Sequence, residues 1–148
     1  MARILITGLS GAGKSTLLAE LSRRGHLTVD TDYDGWTLGD GGPWDERRMS
    51  QLLAAQRDVV VSGAAENQRR FYDRFEHVVL LSAPLDVLLA RVRRRTDNPY
   101  GRSAAQQQQI RDHAAEVEPL LRRSASCELD ARCSPGELAD VVEEMLRQ

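Results

Sequence analysis

The sequence predicts one α/β domain built on a parallel sheet, and three observations lead to that fold class. A chain of 148 residues suits a single domain, 1–148, with its own core. Short apolar runs alternate along the chain with segments whose apolar residues recur at helical spacing, as in parallel α/β sheets. Between the first run and the first such segment lies Gly8–Ser15, which reads G-x-x-x-x-G-K-S, the pattern of a phosphate-binding loop.

Five strands are predicted from apolar runs that end at polar or turn-forming residues. Such short runs suit strands that a parallel sheet buries on both faces. The predicted strands are Ile4–Ile6, Leu27–Val29 leading into Asp30, Val59–Val61 ending at Ser62 and Gly63, Val78–Leu81 ending at Ser82, and a weaker strand at Cys127–Asp130.

The helices are predicted from apolar stripes and from their start signals. Ser103 with Gln106, and Ser134 with Glu137, form capping-box patterns. A kink is expected at Pro119, because proline lacks the backbone N–H that a helix interior uses. In chain order the stripes are Leu17, Leu18 and Leu21, ending at Gly25; Met49, Leu52 and Leu53; Leu85, Leu88, Leu89 and Val92, after Pro84; Ile110, Ala114, Val117 and Leu121; and Leu138, Val141, Val142 and Met145.

The phosphate-binding loop supplies the first group of candidate site residues. Its glycines allow positive φ angles, so successive backbone N–H groups can converge on phosphate oxygens beside a helix N-terminus. Lys14 can reach the β and γ phosphates, and the Ser15 hydroxyl can hold Mg²⁺. The nucleotide-binding candidates in this segment are Gly8, Ser10, Gly11, Ala12, Gly13, Lys14, Ser15 and Thr16.

Two carboxylates after the second strand supply the second group. Asp30 and Asp32 fall at the carboxyl edge of the predicted sheet, where ligands of α/β proteins gather. Phosphoryl transfer needs one group that orients the metal and one that positions the acceptor, and two carboxylates can divide those roles. Because the third strand ends in Ser62 and Gly63 and not in an aspartate, Asp30 is the expected metal ligand. The alternative is that Asp30 or Asp32 simply caps a turn, as Asp34 or Asp40 could.

A cluster of arginines supplies the third group. Arg91, Arg94 and Arg95 share one side of a predicted helix, an unfavourable arrangement of like charges unless an anion lies against it. The turn-rich segment 96–103 that follows is expected to be a short lid over the nucleotide. The alternative is a solvated basic face.

Composition limits the classes of partner. A formal net charge of −2 and a pI near 5.9 give no bulk attraction to nucleic acid or to an anionic membrane, so a nucleic-acid partner is not favoured. No apolar run approaches 18 residues, so no membrane partner is expected. Cys127 and Cys133 are expected to be ordinary thiols and not a disulfide or a metal-binding pair, which indicates a reducing cytoplasm.

The motifs together resemble the small P-loop kinases, a group that includes shikimate kinase, gluconate kinase and the nucleoside monophosphate kinases. The resemblance covers nearly the whole chain and implies a five-stranded parallel sheet in the order 2-3-1-4-5 within three layers. It further implies that Lys14 and Ser15 hold phosphate and Mg²⁺ and that Asp30 organises the metal. Asp32 would bind the acceptor hydroxyl, Arg91 and Arg95 would serve the nucleotide and the lid, and Arg132 and Pro135 would border the adenine.

The chain departs from these families where the acceptor binds. Shikimate kinases carry three glycines after the third strand, where this chain has Ser62-Gly63-Ala64, and Val117-Glu118-Pro119 stands where they place an arginine. The stretch 61–73 looks more like gluconate kinases. The segment 33–57 is expected to form an acceptor flap, in which Trp36 and Trp44 face either the acceptor or the core.

These observations favour an ATP- and Mg²⁺-dependent kinase that phosphorylates a hydroxyl of a small-molecule acceptor. The first alternative is a nucleoside monophosphate kinase, in which an acceptor phosphate would meet Arg47, Arg48, Arg69 and Arg70. The second is a nucleotide-dependent binding switch that hydrolyses nucleotide slowly without any acceptor. The sequence assigns neither the acceptor, the base preference nor the oligomeric state.

Overall fold

The computed structural model describes residues 1–39, 41–95 and 100–148. In these ranges five strands form one parallel sheet in the order β2-β3-β1-β4-β5, which confirms the predicted order. The strands are β1 (Arg3–Thr7), β2 (Thr28–Asp30), β3 (Val59–Ser62), β4 (His77–Ser82) and β5 (Cys127–Asp130).

Helices cover both faces of this sheet in the described ranges. The α-helices are α1 (Lys14–Arg23), α2 (Glu46–Ala55), α3 (Leu85–Arg94), α4 (Ala104–Glu116), α5 (Glu118–Ser124) and α6 (Pro135–Arg147), and a 3₁₀ helix spans Gln68–Arg74.

The alternation of side chains along β1 divides the core between the two faces. Ile4 and Ile6 pack with residues of α1 and α6, whereas Leu5 packs with residues of α2 and the 3₁₀ helix. All three side chains are fully buried, as expected for the central strand of a parallel sheet. The domain therefore has the three layers that the sequence predicts.

The chain between the predicted lid and β5 forms two helices, whereas the sequence predicts one kinked helix. The chain forms α4 and then a separate helix α5, with Val117 at the junction and Pro119 in the first turn of α5. Proline cannot donate the hydrogen bond needed inside a helix and disfavours helical geometry in the preceding residue, but it is well tolerated in a first turn. Val117 is accordingly exposed and does not continue the buried stripe.

Of the two predicted capping boxes, only that of α6 is complete. Ser134 accepts from the Glu137 backbone N–H, and Glu137 accepts in return from the Ser134 N–H. Ser103 caps α4 in the same way, but the Gln106 side chain accepts from the Gly101 N–H. The Gln106 side chain therefore bonds to the turn before the helix and not to the backbone N–H of Ser103.

The predicted acceptor flap contains a small hairpin whose described arms are 36–39 and 41–45. Leu38 donates to the Pro43 carbonyl at 2.7 Å, and Asp45 donates to the Trp36 carbonyl at 2.8 Å. Trp44 is fully buried, with its ring centroid 5.8 Å from that of Phe71. Trp36 is only partly buried and carries the Arg48 guanidinium 4.0 Å above its ring. Of the two tryptophans, Trp44 thus belongs to the core.

Within the described ranges, no helix combines the length and the apolar character needed to cross a bilayer.

Candidate functional site

The loop between β1 and α1 has the backbone of an anion cradle. Gly11 and Gly13 have φ angles of 89° and 91°, a region that favours glycine. A β-carbon on Gly11 would lie 2.6 Å from the Leu88 carbonyl oxygen, so α3 leaves no room for a side chain there. The loop leads directly into the first turn of α1, where unpaired N–H groups and the helix dipole favour an anion. This geometry fits the phosphates of a nucleotide.

Lys14 lies across this loop from the first turn of α1. Its Nζ donates to the Gly8 carbonyl at 2.7 Å and to the Leu9 carbonyl at 3.2 Å. Burial lowers the pKa of Lys14, while Asp32 and Asp30 oppose that shift and Arg95 reinforces it. The ammonium group is therefore held by neutral carbonyls in a partly desolvated position, where an anionic ligand would be a stronger partner.

Ser15 and Asp30 meet at the start of α1. The Ser15 hydroxyl donates to Asp30 Oδ2 at 2.5 Å, and Asp30 Oδ1 accepts from the Asp32 backbone N–H at 3.1 Å. Asp30 thus forms the turn that the sequence left as its alternative role, and it also contacts the predicted metal-binding serine. A hydroxyl and a carboxylate are the hard oxygen donors that Mg²⁺ prefers. Within the described ranges, no group of three or more His, Cys, Asp or Glu side chains could hold a metal ion.

Asp32 lies two residues beyond the end of β2, on the same edge as the loop. The residue is exposed, yet the groups around its carboxyl exclude enough water to raise its pKa. Lys14 opposes this shift, Asp30 adds to it, and Arg95 opposes it. Lys14, Asp30 and Arg95 thus lie within electrostatic range of Asp32.

The ends of β2 and β3 fix the turn that carries Asp32. Thr31 is buried, and both its hydroxyl and its backbone N–H donate to the Ser62 carbonyl, at 2.8 and 3.0 Å. Gly63 comes directly after β3, and its backbone N–H donates to the Ile6 carbonyl at 3.1 Å. The turn is therefore tied to the strand that leads into the phosphate-binding loop.

Arg91 connects the phosphate-binding loop to the segment after β5. One of its Nη atoms donates to the Ala131 carbonyl at 2.6 Å, and the other lies 3.4 and 3.5 Å from the carbonyls of Gly11 and Ala12. A guanidinium presents several donors in a fixed plane, which suits this contact with two separate segments.

Arg94 is the last residue of α3, and Arg95 follows it and contacts the described part of the predicted lid. Arg94 is exposed, whereas Arg95 is partly buried and donates to the Tyr100 carbonyl at 2.8 Å. Arg102 is exposed and donates to the Arg95 carbonyl. Residues 96–99 of the predicted lid lie outside the described residues.

Arg132 and Pro135, predicted to border the adenine, lie in the segment that Arg91 contacts through Ala131. Arg132 forms an ion pair with Asp130 at 2.8 Å, and these bonds hold the Asp130 pKa at about 2. Pro135 occupies the first turn of α6. The structure brings both residues to the carboxyl edge of β5.

Sequence reasoning missed a buried polar contact behind the site. The Gln68 side chain is buried and donates to Thr7 Oγ1 and to the Tyr72 hydroxyl, each at 3.0 Å, while its Oε1 accepts from the Ala65 N–H at 3.1 Å. It thus joins the residue before the phosphate-binding loop to the segment after β3. The spacing of Gln68 and Phe71 could have indicated this burial, because they are one helical turn apart and share the buried face of the 3₁₀ helix.

The comparisons with known proteins concern the fold. A search of curated proteins finds no match. Solved structures that resemble the chain include shikimate kinase from Acinetobacter baumannii in complex with shikimate, with 19% identity, a TM-score of 0.69, and coverage of 99% of this chain and 92% of that one. Shikimate kinase from Bacteroides thetaiotaomicron shares 21% identity at a TM-score of 0.70, covering 99% and 98% of the two chains.

A third similar structure and a family model complete the comparison. Deoxyadenosine kinase from M. mycoides with bound dATP shares 12% identity at a TM-score of 0.66, covering both chains in full. These likenesses show that the fold is that of the small P-loop kinases. Residues 4–117 match the family model described as an AAA domain. Because this match covers most of the sequence, the chain belongs to the AAA domain family.

Proposed function

We propose that this protein is a Mg²⁺-dependent phosphotransferase that moves the γ-phosphoryl group of ATP to a hydroxyl of a small molecule. The observation that carries the proposal is the convergence of Lys14, Ser15, Asp30 and Asp32 beside an anion cradle. Phosphoryl transfer depends mainly on alignment and charge neutralisation, and these groups supply both.

The phosphate-binding loop and Lys14 hold the nucleotide in this mechanism. Backbone N–H groups of residues 10–16 would donate to the phosphate oxygens, except that of Ala12, which donates to the Leu9 carbonyl. Gly8 and Gly13 give the loop the backbone shape that this requires. Lys14 leaves the carbonyls of Gly8 and Leu9 and donates to the phosphates. Its partly desolvated position makes that contact stronger than it would be in water.

Ser15 and Asp30 would hold Mg²⁺, which neutralises phosphate charge when it is bound. Asp30 also orients the turn through its bond to the Asp32 N–H. Asp32 is then free to accept a hydrogen bond from the acceptor hydroxyl and to orient its oxygen for in-line attack. This division of roles follows from the different contacts of the two carboxylates.

Three basic residues and a proline would complete the nucleotide site. Arg95 lies within electrostatic range of Lys14 and Asp32 and would stabilise charge on the transferring group. Arg91 would contact the nucleotide from its position across the loop and the segment after β5. Arg132 and Pro135 would border the base in that segment.

We place this enzyme in a reducing cytoplasm, with a small-molecule acceptor and neither a membrane nor a nucleic-acid partner. Cys127 and Cys133 are both free thiols, which suits that compartment. In this proposal the whole chain acts as one domain, in which segment 33–57 lies on the acceptor side and residues 100–103 on the nucleotide side.

Two of the four arginines that a nucleoside monophosphate would need have other partners in the structure. Of the four arginines proposed to hold an acceptor phosphate, Arg70 pairs with Glu46 at 3.1 Å. Arg48 lies over Trp36 and donates to the Asp34 carbonyl at 2.5 Å. These two guanidinium groups would have to leave existing partners before they could bind a phosphate.

The test is ADP release from Mg²⁺ and ATP across a panel of sugars, polyols, aminoglycosides, nucleosides and nucleoside monophosphates. The proposal expects acceptor-stimulated release with a neutral hydroxyl compound and loss of that stimulation in Asp32→Asn. Stimulation only by nucleoside monophosphates would favour the first alternative. Hydrolysis that no panel member stimulates would favour a nucleotide-dependent switch and contradict the proposal.

A further inference from the structure

Asn67 joins the segment after β3 to the backbone of Trp44. Its Oδ1 accepts from the Trp44 backbone N–H at 2.9 Å, and its Nδ2 donates to the Trp44 carbonyl at 3.1 Å. The same Nδ2 donates to Glu46 Oε2 at 3.0 Å, at the first residue of α2. One amide side chain therefore pairs with both backbone polar groups of Trp44, as the backbone of a neighbouring strand would.

The apolar core surrounds the Trp44 indole but leaves its N–H group without a hydrogen-bond partner among the described residues. The side chain is fully buried against Phe71, but its Nε1 has no hydrogen-bond partner among the described residues. Burial of an unpaired donor is unfavourable, so the apolar contacts of this indole are partly offset. The backbone bonds from Asn67 consequently contribute more to its placement than they would for a fully paired side chain.

The indole reaches the ends of the two strands beside Asp32. A β-carbon on Gly63 would lie 3.1 Å from both Cζ2 and Nε1 of Trp44, and 2.4 Å from Thr31 Oγ1. Thr31 directly precedes Asp32. A shift of the indole toward these strands would therefore meet Gly63 and then the residue that supports Asp32.

We infer that Asn67 is a positioning residue for the acceptor side of the site. By fixing the Trp44 backbone it keeps the indole beside Gly63, the glycine that also adjoins Thr31, and through these residues it positions Asp32. The role of Asp32 in this inference rests on the proposed phosphotransferase function. The contact between Asn67 and Trp44 is a property of the protein without ligands, so it can be tested separately.

The decisive variant is Asn67→Ala, which removes all three hydrogen bonds. Arg74→Ala is the matched control, because Arg74 ends the 3₁₀ helix that Asn67 precedes and bonds to Ser50 of α2, at 3.0 and 3.1 Å, and not to Trp44.

Three measurements test the inference. In Asn67→Ala, amide hydrogen exchange at Trp44 and Asp45 should be about tenfold faster or more, because the hydrogen bonds that resist local opening are lost. The dissociation constant of a non-hydrolysable ATP analogue, measured in the presence of Mg²⁺, should change less than about twofold, since Asn67 acts on the acceptor side. With an acceptor that the wild-type protein phosphorylates, KM for that acceptor should rise while KM for ATP is unchanged.

Several outcomes would overturn the inference. Unchanged exchange at Trp44 in Asn67→Ala would mean that the contact fixes nothing. An equal effect in Arg74→Ala would mean that Asn67 acts through general stability. A parallel loss of analogue affinity would place its effect on the nucleotide side. The proposed function fails differently, because the wild-type protein itself would then not bind the analogue or transfer phosphate.

Discussion

Replacing Gly63 by alanine should destabilise the protein, because the space next to this glycine is already filled. The added β-carbon would lie 2.4 Å from Thr31 Oγ1 and 3.1 Å from two atoms of the Trp44 ring. A separation of 2.4 Å is well inside van der Waals contact, so Thr31 or the glycine backbone must move. Thr31 cannot move freely, since its hydroxyl is bonded to the Ser62 carbonyl at 2.8 Å.

The expected loss combines two contributions. Overpacking of a buried site costs about 1–3 kcal/mol. Loss of the Thr31 hydroxyl bond adds about 1 kcal/mol. The free energy of unfolding should therefore fall by about 2–4 kcal/mol, which lowers the melting temperature by roughly 4–16 °C for a chain near 150 residues.

The assay is urea unfolding followed by tryptophan fluorescence, with thermal melting as a second measure. The control is Gly136→Ala in the first turn of α6, where the nearest atoms to a new β-carbon lie at 3.7 and 3.9 Å. That variant should be as stable as the wild-type protein or more stable by up to about 1 kcal/mol. Equal unfolding midpoints for wild type and Gly63→Ala would refute the reasoning.

Three further predictions concern the site. Asp30→Asn should raise the Mg²⁺ concentration needed for half-maximal activity, whereas Asp32→Asn should reduce transfer at saturating Mg²⁺ and ATP; identical Mg²⁺ titrations would refute the division of roles. Asp32 acts as a carboxylate and loses that form as pH falls through its raised pKa, so the acid limb of kcat/KM should lie above the ordinary value of 3.8 and should disappear in Asp32→Asn. Arg95→Ala and Arg102→Ala should each raise ATP hydrolysis relative to transfer, because an incompletely covered site admits water; an unchanged ratio of phosphate to phosphorylated product would contradict that role.

The sheet and most helices could be predicted because their signals are local. The apolar run Ile4–Ile6, the glycines of the following loop and the Ser134 cap each act within a few residues. The break at Pro119 was predicted only in part. The proline shows that the helix is interrupted there, but not whether it bends or ends. Gln106 formed a different bond because Gly101 lies within its reach in the folded chain.

The acceptor side could not be predicted in the same way, because its contacts join distant segments. Asn67 and Trp44 are 23 positions apart, and Gln68 and Thr7 are 61 apart. The buried position of Trp44 depends on where the hairpin meets the 3₁₀ helix, which no local pattern encodes. The roles of the individual site residues likewise stay predictions, since they depend on ligands.

The most direct test of the central claim is transfer of labelled γ-phosphate from ATP by wild type and by Lys14→Ala. Lys14 bonds to two loop carbonyls, and the cost of burying its ammonium group partly offsets those bonds, so the variant should still fold, with a melting temperature lowered by no more than roughly 4 °C. Loss of a preorganised positive charge at the phosphates should reduce transfer by about 100-fold or more. A folded Lys14→Ala protein that transfers phosphate at the wild-type rate would contradict the claim.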